Sequence, residues 1–152
     1  MKDKSLIKIL LLGMGFLLPY HGFSQGLKKH QWENRIVVLL SSDESSPLYT
    51  QQLKEFSHTH EEMKERKLVM YRVINKKYCF QNFTTENQAL NWKPIDNPDL
   101  KINDSNKYFK IILIGLDGGV KLEKTEFLNK EELFRIIDSM PMRMNELRRK
   151  ND

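Results

Sequence analysis

Cysteine is nearly missing from this chain: Cys79 is the only one. A lone thiol cannot pair within its own chain, so no disulfide framework staples the fold. Cys79 is then either a small buried hydrophobe or a free thiol, and its setting in "YCF" favours burial. Long apolar runs are missing as well. The longest charge-free one, Ile9 to Leu18 (ILLLGMGFLL), is about half of the roughly 20 residues that cross a bilayer. Histidine is scarce, and His58 and His60 stand two apart, so on a helix they diverge and cannot chelate as an i, i+4 pair would. No metal site and no cofactor is expected. Nor is one sign of charge concentrated. The formal net charge is +5, but the bases are mixed with acids, as in "HEEMKERK", which describes a solvated surface rather than a nucleic-acid footprint. No internal repeat and no low-complexity tract is present.

What the N-terminus does contain is a basic opening, Met1 to Lys8, then the apolar stretch, then Pro19 and "HGFSQG". This has the shape of a signal peptide over residues 1–24. Small Gly22 and Ser24 suit the minus-three and minus-one positions, so cleavage is expected after Ser24, with residues 25–152 remaining as one domain. Lipidation at that junction is excluded, because it would need a cysteine there. The expected location is the periplasm or the exterior, with no stable membrane anchor after cleavage.

Along the rest of the chain, "RIVVLLSS" from Arg35 reads as a central strand covered on both faces. Ser46 as N-cap and Pro47 at the first helical position then open a helix whose buried stripe is Tyr49, Leu53, Phe56, His60 and Met63. "LVMYRVI", Leu68 to Ile74, makes a second strand, and a crossover of this length implies a parallel pair. Residues 76–107 form a variable connection with one short helix expected near Glu86 to Trp92. "YFKIILIGLDGGVKLEK" predicts a hairpin, with Asp117 and Gly118 supplying left-handed turn residues. Asn129 caps a terminal helix, with Glu132 three residues on and Leu128 stapling onto Leu133. Pro141 lies inside the apparent continuation of that helix, where a proline costs about 3 kcal/mol. The expected outcome is a helix that bends, or stops and restarts, with Met140, Met144 and Leu147 continuing one apolar face. The order β-α-β, connection, β-hairpin, α is that of an α/β thioredoxin-like fold.

Three stretches carry a resemblance: "WENRIVVLL" from Trp32, "ILIGLDGGVKL" from Ile112 and "IIDSMPMRMNEL" from Ile136. Together they resemble the DUF4174 family of bacterial secreted proteins, which is similar to the thioredoxin-like DUDES domains of animal extracellular-matrix proteins. The carrying residues are Trp32, Arg35, Asp117, Gly118, Met140, Pro141, Met142 and Arg143. The resemblance implies a thioredoxin-like fold outside the cytoplasm and implies no particular activity.

Redox chemistry in such a fold needs a thiolate at the start of the first helix, where the dipole lowers its pKa. "SSDESSP", Ser41 to Pro47, has none, so the redox site is lost. Ser42, Ser45 and Ser46 lack a nucleophile-elbow setting, and Gly115 to Gly119 lie between strands rather than at a helix start, so neither acyl transfer nor a phosphate cradle is indicated. Asp43 and Glu44 are two carboxylates beside a helix start, able to act as acid and base or simply to complement the dipole. Asp138 and Arg143 flank the proline and could lock the last helix or recognise a ligand. The favoured reading is a binding or interaction module for a protein or small molecule outside the cytoplasm. The alternative is a thiol-independent enzyme using Asp43 and Glu44 with Arg143. Adhesion by analogy with the animal domains is a third.

Overall fold

The computed structural model describes residues 25–85, 88–95 and 109–151. The expected signal segment lies outside them. The elements are α1 (Gln25–Lys28), β1 (Arg35–Ser41), α2 (Pro47–Phe56), α3 (His60–Glu65), β2 (Leu68–Ile74), β3 (Lys77–Asn82), β4 (Trp92–Pro94), β5 (Lys110–Ile114), β6 (Val120–Lys124), α4 (Lys130–Asp138) and α5 (Pro141–Asn151).

β1 is buried at all seven positions: the apolar run Ile36 to Leu40 requires it, and the polar Arg35 and Ser41 at its ends are buried with hydrogen-bond partners. It lies inside a sheet of order β4-β3-β2-β1-β5-β6, parallel to β2 and antiparallel to β5. The strands β2-β1-β5-β6 with α2 and α4 form the thioredoxin-like core, and β3 and β4 extend it beyond β2. Alternation along the strands divides the core in two. Val37, Leu39, Met70, Ile111 and Leu113 face α2, α3 and α4, where Tyr49, Phe56, Met63, Leu133 and Ile137 meet them. Ile36, Val38, Leu40, Val69, Tyr71 and Val73 face the other way, with Leu27 of α1 packed against them. Each such side chain fully buried contributes about 1.5–3 kcal/mol.

Three expectations are corrected. The first helix is two helices, because Ser57 Oγ and Thr59 Oγ1 donate to Lys54 O (2.7 Å) and Phe56 O (2.9 Å), diverting the turn's carbonyls at the end of α2. No helix spans residues 88–92: residues 88–91 are irregular and Trp92 begins β4, while Glu86 and Asn87 lie outside the described residues. The segment from Lys77 is instead β3, an edge extension whose weak period-2 pattern reflects partial exposure. In the β5–β6 turn only Gly118 is left-handed, at φ 80°. Asp117 serves by its side chain, accepting from Gly119 N at 3.0 Å and from Lys121 Nζ at 2.7 Å.

The terminal helix stops and restarts. Asn129 caps α4 by accepting from Glu132 N at 2.7 Å, and Leu128 and Leu133 are both wholly buried. α4 ends at Asp138, and Pro141 is the first residue of α5, where its missing N–H costs nothing. Met140 packs on the core, but Met144 is exposed and Leu147 only half-buried. The inward residue of α5 is Arg143, since spacing from Met140 through the break is set by the new helix and not by the old one.

Candidate functional site

Asp138 and Arg143 meet across the proline break. Arg143 Nε donates to Asp138 Oδ1 at 3.1 Å, its Nη1 donates to Glu65 O at 3.1 Å, and its Nη2 lies 3.2 Å from Glu65 Oε1. Every guanidinium nitrogen is engaged, which leaves no open fork for a ligand. Asp138 also accepts from Arg66 Nη2 at 2.7 Å, and the Arg66 guanidinium lies 4.3 Å from the centre of the Phe134 ring. Glu146 of α5 takes Arg35 by both oxygens, at 3.3 and 3.4 Å. Arg35 is 1% exposed and also donates to Arg66 O at 2.9 Å. Burial alone would raise the Asp138 and Glu146 carboxyls. The Arg66 and Arg143 partners of Asp138, and the Arg35 and Lys67 partners of Glu146, outweigh it and hold both below the usual carboxylate range. This cluster ties α5 to the α3–β2 turn and to the start of β1, and so locks the last helix in place.

Asp43 and Glu44 are elsewhere. They follow the far end of β1, a strand of about 20 Å. Both are exposed. Asp43 accepts from Ser45 N (2.9 Å) and Ser45 Oγ (2.6 Å), which hold its carboxyl below the usual range. It is therefore a turn-forming residue before α2. Arg143 is packed at the opposite end of the strand, so the three residues share no cleft, and the acid–base arrangement built on them is not assembled.

Trp32 stands at φ 70° with its side chain 61% exposed. Its backbone N–H donates to Leu116 O at 2.7 Å, and Gln31 Nε2 donates to Asp117 O at 3.0 Å. The Trp32, Asp117 and Gly118 stretches are thus one contact, in which the segment before β1 hooks onto the hairpin turn. Behind it, His30 is buried between rings. Asn34 Oδ1 can only accept, so His30 Nδ1 donates to it at 3.2 Å, and Nε2 accepts from Tyr71 Oη at 2.8 Å. Burial lowers the His30 pKa, keeping the neutral ring this pairing needs.

A candidate that the sequence did not reveal is a cleft of about 310 Å³ between the α2–α3 corner and the outer strands. Leu53, Phe56, Met70, Phe83 and Leu90 make its apolar walls, and Ser57, His60, Gln81 and Arg72 its polar positions. Gln88 fixes the loop that carries Leu90: its Oε1 accepts from Asn82 N at 2.8 Å and its Nε2 donates to Phe80 O at 3.3 Å. Arg72 sits on β2 between Met70 and Ile74, on the helix-facing side. Its Nε donates to Tyr49 Oη at 2.8 Å, and its guanidinium lies 5.7 Å from the Tyr49 ring and 5.5 Å from the Trp92 ring. Among the described residues no carboxylate lies within ion-pair distance of it and nothing hydrogen-bonds its two Nη atoms. Arg72, Cys79 and Trp92 stand side by side across β2, β3 and β4. Cys79 is buried, as expected, and burial pushes its thiol up, away from the reactive thiolate. One signal pointed to the cleft: in "LVMYRVI", Arg72 has the same alternation as Leu68, Met70 and Ile74, a charge at an inward position.

Among the described residues no three His, Cys, Asp or Glu side chains gather as a metal site would require, and no helix is long and apolar enough to cross a membrane. No curated protein matches the chain. The family described as "Domain of unknown function (DUF4174)" matches residues 26–146, from α1 to the Glu146 that holds Arg35, and the chain belongs to that family.

Proposed function

We propose that this chain is an exported ligand-binding module of the periplasm or exterior, without thiol chemistry, whose ligand seats in the cleft above Arg72. The observation that carries this is a cation that, among the described residues, meets no carboxylate. A half-buried guanidinium that meets no carboxylate among the described residues has given up part of its hydration, a cost that a bound anion would offset. The rings of Tyr49 and Trp92 and the Tyr49 hydroxyl hold the fork still, so little side-chain freedom is lost when a ligand arrives. The signal-like residues 1–24 support the exported location, and the single buried cysteine supports the absence of thiol turnover.

The test is a thermal-shift screen of small anionic, neutral and cationic probes against the purified protein and its Arg72→Met variant. Anions should stabilise the parent and not the variant. A screen in which no anion acts, or in which the variant responds equally, removes the proposal. Insulin-disulfide reduction that disappears on Cys79→Ser would remove its non-redox half.

A further inference from the structure

Resting on the reading of the cleft as the binding site, we infer that its ligand is a small monocarboxylate with a hydrocarbon body, such as a medium-chain fatty acid or an aryl-alkanoic acid. Arg72 Nε is already spent on Tyr49, so the open edge of the guanidinium is the one bearing Nη1 and Nη2. Two parallel N–H donors on one planar edge match the two oxygens of a carboxylate. Among the described lining residues Arg72 is the only Lys or Arg, so a dianion such as a phosphate ester would leave one of its charges uncompensated. Beyond the cation the walls are apolar. Leu53, Phe56, Met70 and Phe83 offer a hydrocarbon tail contact, and Gln81 adds a single uncharged amide, too few polar groups to satisfy the several hydroxyls of a sugar. Of the remaining polar positions, Ser57 Oγ is already donated to Lys54 O at 2.7 Å, and the His60 ring stands edge-on to Phe83 at 5.8 Å between centroids. A cleft of about 310 Å³ is at the small end of the range for organic ligands, which suits one short tail and one headgroup.

Calorimetric titration of the purified protein with sodium octanoate, with its neutral isostere octanamide and with inorganic phosphate tests the inference. Octanoate should saturate a single site, octanamide should bind at least about tenfold more weakly, and phosphate should not compete. Arg72→Met should abolish octanoate binding. Arg72→Lys, which keeps the charge and loses the fork, should weaken it by about tenfold. Because a substituted strand residue could unfold the protein, the parent is also followed by the Arg72 Nε–Hε nuclear magnetic resonance, which should shift on adding octanoate and not octanamide. Arg72-dependent binding of phosphate without octanoate overturns the carboxylate inference and leaves the cleft as the site. Equal binding of octanoate and octanamide overturns the inference as well, since the cation then plays no part. Absence of any Arg72-dependent probe binding, with the resonance unmoved, overturns both.

Discussion

Arg35 and Arg72 each bring a guanidinium to the helix-facing side of the sheet, at positions where strand alternation calls for an apolar residue, yet Arg35 meets Glu146 at 3.3 Å whereas Arg72, among the described residues, meets the Tyr49 and Trp92 rings and the Tyr49 hydroxyl. Arg35 belongs to a cluster in which Arg66, Arg143, Lys67 and Lys150 share Glu65, Asp138 and Glu146. There a buried cation is a structural part, because each charge is placed against its opposite and most of its polar atoms are hydrogen-bonded, the buried Nε atoms of Arg35 and Arg66 excepted. Around Arg72 the same side chain is left with its polar edge toward a cleft. An arginine inside a sheet is thus no guide to its role until its neighbours are known. What separates the two, among the described residues, is whether a carboxylate of the protein meets the guanidinium.

The contrast can be broken most forcefully at Arg35. Arg35→Ala removes the fork from Glu146 and leaves that carboxylate in a half-buried site, and should cost about 3–5 kcal/mol in urea-denaturation experiments. A loss below about 1 kcal/mol would mean that the cluster is ornamental. Arg143→Lys should cost less, about 1–2 kcal/mol, because the charge stays and the three-way engagement with Asp138 and Glu65 is lost. Acid sharpens the comparison in a different way. Asp138, Glu146 and Glu65 all have folded values below their unfolded ones: burial pushes each upward, and the neighbouring cations outweigh it. Their contribution is therefore complete above the ordinary carboxylate range near 4, and it is lost as pH falls through the depressed folded values. Denaturant midpoints measured from pH 7 downward should decline in that window. The decline should be shallower in Arg35→Ala and unchanged in Arg72→Met. Smallest of all is the stability change in Arg72→Met itself. The apolar chain removes a cation that meets no carboxylate among the described residues but also takes the Nε donor from the buried Tyr49 hydroxyl, so the net cost should be about 1 kcal/mol. A loss near 3 kcal/mol would place Arg72 with Arg35 as a structural residue.

His30 adds a second pH signature away from both arginine sites. Its folded value lies below the ordinary 6.5 because burial disfavours the charged ring. Protonation then favours unfolding, so stability should fall as pH drops through the unfolded value and approaches the folded one. His30→Gln should remove that step while leaving the carboxylate step in place.

Much of the core was legible because its physics is local. The apolar centre of β1, the Pro47 start of α2, the Asn129 cap and the Gly118 turn each follow from a few neighbouring residues. The Ser57–Thr59 break was less so, since the same Ser and Thr side chains are tolerated in mid-helix when they do not turn back onto the carbonyls. β3 and β4 were missed because an edge pair with one residue in contact with solvent and the next half-buried has no strong period. In the C-terminal motif, proximity of Asp138 and Arg143 was readable, but their sharing of Glu65 and Arg66 required the α3–β2 turn to be placed beneath them.

By itself the sequence determined the thioredoxin-like core, the loss of the redox cysteine at the helix start and an interruption of the last helix at Pro141, because hydrophobic period, capping and proline geometry act over a few residues, while the choice of a restart over a bend came from the structure. Only the tertiary structure decided which arginine meets a carboxylate and which, among the described residues, does not. Pairing depends on side chains that are far apart in the chain, Glu146 for Arg35 and Tyr49 and Trp92 for Arg72, and no local pattern records which of them arrive at the same place.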